Sequence, residues 1–390
     1  MNCWKALNAL EVKHWIKDHK YEFELSVVCL IVLKPTWTFL GRKKMKLMKN
    51  VSVAAVSIAV AAMFSGSVAA QEITLKLHHF LSPKAPAHSK MIVPWAERIE
   101  KASNGRVKIE IFPSMSLGGK PPQLPRQVRD GVVDMAWFVN GYAAGLYPRT
   151  EVFELPGVHQ GQSAATNRAM FEMYDEYLAA EYKGLVPLTL HVHGGGALHM
   201  VDKEVRSPAD LKGVKIRIPS RTGAWVLEAL GASPVKTSVP ELPLALSKKV
   251  VDGAIIPFEI IPPLKIQEQT QYQIEGPTGQ RFGTTTFQIA MNKDTWKNLP
   301  ADIQKIFKDN SGVEWHEEVG RIWDASEKFG IGVAVKAGNT HVKLTEAEWA
   351  KFDTAMSPVV ARWIKEVAKK GIDGQKLYDT AVATVNKHMK

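Results

Sequence analysis

Arg217 and Arg221 are the residues best suited to chemistry, set in the stretch Asp210-Leu-Lys-Gly-Val-Lys-Ile-Arg-Ile-Pro-Ser-Arg221. Val214, Ile216 and Ile218 alternate with Lys215 and Arg217, which predicts a short strand with one buried face. Pro219 cannot donate to a ladder and ends it, so Arg217 falls at the carboxyl end of a strand. Ligand crevices of open α/β sheets lie there, and a fixed guanidinium suits a carboxylate through paired N–H donors.

Two other patterns invite competing chemistry. His193-Gly-Gly-Gly196 has the form of an esterase oxyanion segment, yet no Gly-x-Ser-x-Gly elbow accompanies it. A secreted hydrolase therefore stands as the rival reading, and a Gly-rich crossing between lobes as the plainer one. His191, His193 and His199 have spacing that puts them on one strand face, but no residue supplies a further ligand and its support. Hydrogen-bonded wall or core histidines are expected instead, with a metal or peptide receptor as the alternative. His78-His79 sends one ring to each face, so only His79 is taken as facing a cleft. No phosphate-binding or dinucleotide fingerprint is present, no cofactor is expected, and the chain is not read as an enzyme.

The elements that must position these residues follow from periodicity. Ile73–Phe80 alternates as a strand, Met91, Trp95 and Ile99 recur at helical spacing, and Asn104-Gly105 closes that helix. Strands at Arg106–Phe112 and Val132–Val139 continue a strand–helix rhythm that implies an α/β fold. The rhythm recurs: Arg106–Pro113 pairs with Gly213–Pro219, and Asp130–Ala136 with Lys249–Ile255, which predicts two similar lobes around a cleft. Ser163–Tyr182 reads as an amphipathic helix with a Met and Tyr stripe in the core, and Ser238-Val-Pro-Glu241 as a capping box. The spacing from Ala301 to Phe329 predicts one long helix bracing both lobes.

The chain has 390 residues, 45% hydrophobic and 23% charged. Met45–Asn50 is basic, Val51–Met63 apolar and Ser67–Ala70 small, the layout of a signal peptide spanning 45–70, cleaved after Ala69 or Ala70. Residues 1–44 match no part of such a signal and are read as an upstream extension from a misassigned start. Both cysteines, Cys3 and Cys29, lie there, so no disulfide or thiolate chemistry is expected after residue 70. Of 50 Lys and Arg, 10 precede residue 71, and of 39 Asp and Glu, 4 do, leaving a dispersed +5 that gives nucleic acid no footprint.

Asp210–Pro219, Ala229-Leu-Gly-Ala-Ser-Pro-Val235 and Val250-Val-Asp-Gly253 resemble, in order and spacing, the solute-binding proteins of TRAP transporters, the DctP-type family. Gly105–Gly119, Asp130–Asp134 and Glu151-Val-Phe-Glu-Leu-Pro156 extend the resemblance over residues 72–390. It implies a periplasmic two-lobed binding protein, each lobe a mixed sheet flanked by helices, that closes on an organic anion and delivers it to a large and a small membrane subunit. The lobes are expected at 71–194 plus 281–321 and 195–280 plus 322–390, in a monomer. Arg217 matches the arginine that holds the ligand carboxylate in that family. The chain departs from the family where Gln-Glu-Asn-Pro commonly follows Val-Val-Asp-Gly, carrying Ala254-Ile-Ile-Pro257, and has Gly196 and Ala197 where a second arginine is common. These losses point to a monocarboxylate with an apolar or aromatic body. The expected binding residues are Arg217, Arg221, Trp137, Asn140, His79, Ile256 and Phe258.

Overall fold

The computed structural model describes residues 73–389. The expected signal peptide and upstream extension lie outside them. No helix among the described residues is long and apolar enough to cross a membrane.

Two mixed sheets form the two lobes. The first has the order β2 (Val107–Phe112), β1 (Ile73–His79), β3 (Met135–Val139), β10 (Thr286–Asn292) and β4 (Leu185–Val192). The second runs β11 (Thr340–Lys343), β9 (Tyr272–Glu275), β5 (Ala197–Met200), β8 (Gly253–Ile256), β6 (Lys215–Ile218) and β7 (Ser233–Lys236). Burial explains their composition. β2 alternates because one face meets water, whereas β3 and β8 are buried along their whole length and read as continuous apolar runs.

The internal repeat is real, but one pair is shifted. In order, β2-β1-β3 of one sheet matches β7-β6-β8 of the other, with all three strands of each set parallel. β6 therefore takes the place of β1, not of β2 as the similar strings Arg106–Pro113 and Gly213–Pro219 suggest. Alternating Val-Lys-Ile strings satisfy any half-buried strand, so they do not specify which one. The connection from β7 to β8 repeats that from β2 to β3, each a 3₁₀ turn with proline at its start leading into a six-residue helix. The Ser238 capping box forms as expected, with the Ser238 N–H and hydroxyl both donating to Glu241.

Two helical readings are corrected. Ser163–Glu172 is α-helical, but a π turn at Tyr174–Leu178 and a 3₁₀ turn follow. Met170, Met173 and Leu178 are nevertheless core, as the stripe predicted. The expected helix from residue 301 divides into Ala301–Asp309 and Val313–Lys336, separated by Asn310-Ser-Gly312. The second piece, about 36 Å long at 1.5 Å per residue, does contact both lobes. Two glycines allow it to: a Cβ on Gly320 would lie 2.3 Å from Ala164 of the first lobe, and one on Gly330 2.0 Å from the Phe258 carbonyl oxygen of the second. The C-terminal helix Gly374–His388 packs on Ser163–Glu172. It also packs on Pro358–Ala368, which in turn packs on Arg221–Ala229 beside the second sheet.

Candidate functional site

The chain passes between sheets at 193–196 and again at 276–285, and the two crossings are tied together. Gly196 N–H donates to the Gly283 carbonyl at 2.8 Å, and Phe282 N–H donates to the Gly196 carbonyl at 2.9 Å. A Cβ on Gly194 would lie 2.4 Å from Glu327 Cγ, one on Gly195 2.3 Å from Arg281 Cγ, and one on Gly196 2.4 Å from Ile255 Cγ2. Gly195 also has φ of +88°. The three glycines are therefore there for close approach of the protein's own side chains. The N–H groups of Gly195 and Gly196 are engaged as well, Gly195 N–H donating to His193 Nδ1 at 3.0 Å.

Beside this double crossing, a cavity opens between the lobes, lined among others by Phe80, Trp137, Tyr142, His193, Arg217, Ile256, Phe282, Phe287 and Trp323. Ser220 caps the helix Arg221–Ala229 by accepting from Gly223 N–H at 3.1 Å, which turns the chain sharply after β6 and leaves Arg217 on the cavity wall. Arg217 is 3% exposed. Its Nε donates to the Thr237 carbonyl at 3.0 Å and its Nη2 to the Tyr142 hydroxyl at 3.3 Å. It forms no ion pair with any described carboxylate. Burial pushes its pKa below the ordinary guanidinium value, and Tyr142 and Glu241 act in the opposite sense. A buried guanidinium is costly without a counter-ion.

Aromatic rings cover the first-lobe side. Trp137 stacks on Phe80 with centroids 4.8 Å apart and on Phe287 at 5.2 Å, and Phe287 stacks with His191 at 5.0 Å. The Trp137 indole N–H donates to His191 Nε2 at 2.9 Å; the proton of His191 therefore sits on Nδ1, which faces the Val192 carbonyl at 3.1 Å. Burial lowers the His191 pKa to about 3. With both nitrogens used, His191 is a neutral core residue behind Trp137 and Phe287. His199 lies elsewhere, its Nε2 at 3.1 Å from the Ile256 carbonyl. Among the described residues no set of three His, Cys, Asp or Glu side chains could hold a metal.

Of the expected binding residues, the structure brings Arg217, Trp137 and Ile256 to the cavity. The other four are spent elsewhere. Arg221 makes two hydrogen bonds to the Glu151 carboxylate, at 2.8 and 2.5 Å, joining the lobes rather than facing the cavity. Asn140 exchanges side-chain hydrogen bonds with Thr286 and Gln288. His79 bonds His88 at 2.9 Å, and Phe258 is fully buried between His199 and His341. Position next to a motif brought these four forward, and position does not register partners from distant segments.

Sequence reasoning missed two carboxyl groups in the wall, Glu154 and Glu259. Glu154 accepts from Thr222 Oγ1 at 2.6 Å, Thr286 N at 3.0 Å and Thr286 Oγ1 at 2.8 Å, and burial raises its pKa. It was legible only in Glu151-Val-Phe-Glu-Leu-Pro156. The bonds Glu154–Thr222, Glu151–Arg221 and Tyr142–Val239 all run from one lobe to the other, so the lobes are in contact around the cavity. A Cβ on Gly141 would lie 2.6 Å from Ser220 Cβ, which shows how near the two walls approach.

Residues 77–366 match the bacterial extracellular solute-binding proteins, family 7. The structure is similar to that of a TRAP solute-binding protein from Rhodoferax ferrireducens in complex with copurified benzoate, with 39% identity, a TM-score of 0.78, and coverage of 81% of this chain and 98% of that one. It is also similar to a marine metagenome TRAP solute-binding protein specific for aromatic acid ligands, in complex with 3-hydroxybenzoate, with 38% identity, a TM-score of 0.80, and coverage of 82% and 100%. The C4-dicarboxylate-binding periplasmic protein DctP of Rhodobacter capsulatus is 26% identical over 296 residues, 74% of this chain and 86% of that protein.

Proposed function

The chain belongs to the bacterial extracellular solute-binding proteins of family 7, the solute-binding subunits of TRAP transporters, and on that premise we propose that it binds an aromatic monocarboxylate between its lobes. The observation that carries this reading is Arg217, a buried guanidinium without an ion-pair partner among the described residues, in a cavity walled mainly by rings and aliphatic side chains. A ligand carboxylate supplies the missing counter-ion, with the Arg217 fork fixing its orientation. The ring system lies against Phe80, Trp137 and Phe287, where offset stacking rewards a flat body. His193 accepts from Gly195 N–H at Nδ1, so its proton is on Nε2 and serves as a second donor to the anion. The aromatic acids held by the two similar structures agree with such a ligand.

In this reading the protein works in the periplasm as a monomer without a cofactor. Hinge motion about the crossings at 193–196 and 276–285 opens the cavity, and ligand contacts to both walls bias it closed. The closed form hands its anion to the large and small membrane subunits.

Calorimetry with a panel of benzoates, phenylacetates and C4-dicarboxylates tests the proposal. Aromatic monocarboxylates should bind, and Arg217→Ala should abolish that binding while the thermal unfolding transition stays cooperative. Unchanged affinity in Arg217→Ala, or a clear preference for dicarboxylates, would overturn it.

A further inference from the structure

Glu259 lies on the 3₁₀ turn Phe258–Ile260 just past β8, and β8 pairs with β6 so that Ala254 faces Arg217. Both Glu259 and Arg217 line the cavity between the lobes. Glu259 is 5% exposed, and its Oε2 is buried with no hydrogen-bond partner. Its backbone N–H donates to Glu327 Oε1 at 2.9 Å, which anchors the turn and leaves the side chain out of that network. The contrast with Glu154, the other carboxyl in the wall, is direct: Glu154 is saturated by three donors. The remaining wall residues of this stretch, Ile255, Ile256, Pro257 and Ile260, have no polar side-chain atom to offer.

Resting on the carboxylate-binding reading above, we infer that Glu259 is a specificity residue, whose carboxyl group pairs with a hydroxyl on the aromatic body of the ligand. A buried carboxyl without a partner is a penalised state, and a ligand that satisfies it gains selectivity over one that does not. The chemistry of the partner follows from charge. Burial, and Glu327 beside it, raise the Glu259 pKa well above the ordinary carboxyl value and so favour the neutral form, which presents one O–H donor and one acceptor. Arg281, within 3.6 Å of Glu327, offsets that neighbour without reaching Glu259. A phenolic hydroxyl matches a neutral carboxyl by both accepting and donating. An ammonium would require the ionised form that burial opposes.

The test is calorimetry of the wild type, Glu259→Gln and Glu259→Leu with benzoate and its three monohydroxy derivatives. The wild type should bind at least one hydroxybenzoate about tenfold or more tightly than benzoate, equivalent to about 1.4 kcal/mol. Glu259→Gln keeps a donor and an acceptor and should retain a preference. Glu259→Leu should bring the ratio of hydroxybenzoate to benzoate affinity to within about twofold. A wild-type ratio near one overturns the inference, and decides it even where the leucine variant does not fold. So does an undiminished preference in a folded Glu259→Leu. Failure of the wild type to bind any of the four acids would instead overturn the carboxylate reading and this inference with it.

Discussion

The Tyr142 hydroxyl of the first lobe accepts two hydrogen bonds from the second, one from Arg217 Nη2 at 3.3 Å and one from Val239 N–H at 2.7 Å. One phenol thus orients the only cavity-lining guanidinium among the described residues and clasps the lobes. Tyr142→Phe removes both bonds and strands the Val239 N–H. About 1–3 kcal/mol should leave the closed state, weakening ligand binding by about five- to 150-fold with the same order of ligand preference. Calorimetry on a small acid panel checks this.

Arg221 and Glu151 form a second clasp, with side chains 25% and 6% exposed. A latch and a ligand contact predict different responses. As a latch, Arg221→Ala and Glu151→Gln should weaken binding to a similar degree, and the double variant should be no worse than either single one. If Arg221 instead held the ligand, freeing it by Glu151→Gln would preserve or improve affinity. A double-mutant cycle separates the two.

Gly195 carries the left-handed backbone of the crossing against the Arg281 side chain. Arg281 is itself pinned by Glu275 and by the Gly279 carbonyl at 3.0 Å. Gly195→Ala combines an unfavourable φ with a displaced buried arginine, and should destabilise by about 2–5 kcal/mol. Urea unfolding measures it.

Acid should unfold this protein through its histidines. Burial lowers His79, His191 and His199 to about 3, and His159, His316 and His341 to about 4. These rings are neutral in the fold and charged in the unfolded chain below about 6.5, so the unfolded state binds more protons there. Their contribution to stability is present above pH 6.5 and is lost as pH falls toward 3–4. Buried carboxyls act oppositely: burial also raises Glu154, Glu259, Asp324 and Glu327, and it raises Glu181 to about 7, so the Glu181 contribution is lost as pH rises from about 4.5 to 7. Stability should therefore climb between pH 4 and 6.5, and climb more steeply in Glu181→Gln. Urea midpoints across that range test both signs.

Much of this protein was determined by its sequence alone. Alternation placed β6 with Arg217 near its end, Pro219 ended it, and capping chemistry started the helix that follows Ser238. These are local properties, set by which face of one element is buried and by the φ of single residues. Tertiary structure decided the partners. Arg221 is held by Glu151, 70 positions away, and the wall of Trp137 is completed by Phe287 and Trp323 from segments that follow the second crossing. The repeat announced two similar lobes but not that β6 replaces β1. Whether a polar group is spent or free depends on donors from segments distant in the chain, which no periodicity records. That is why Glu154 is saturated and Glu259 is not.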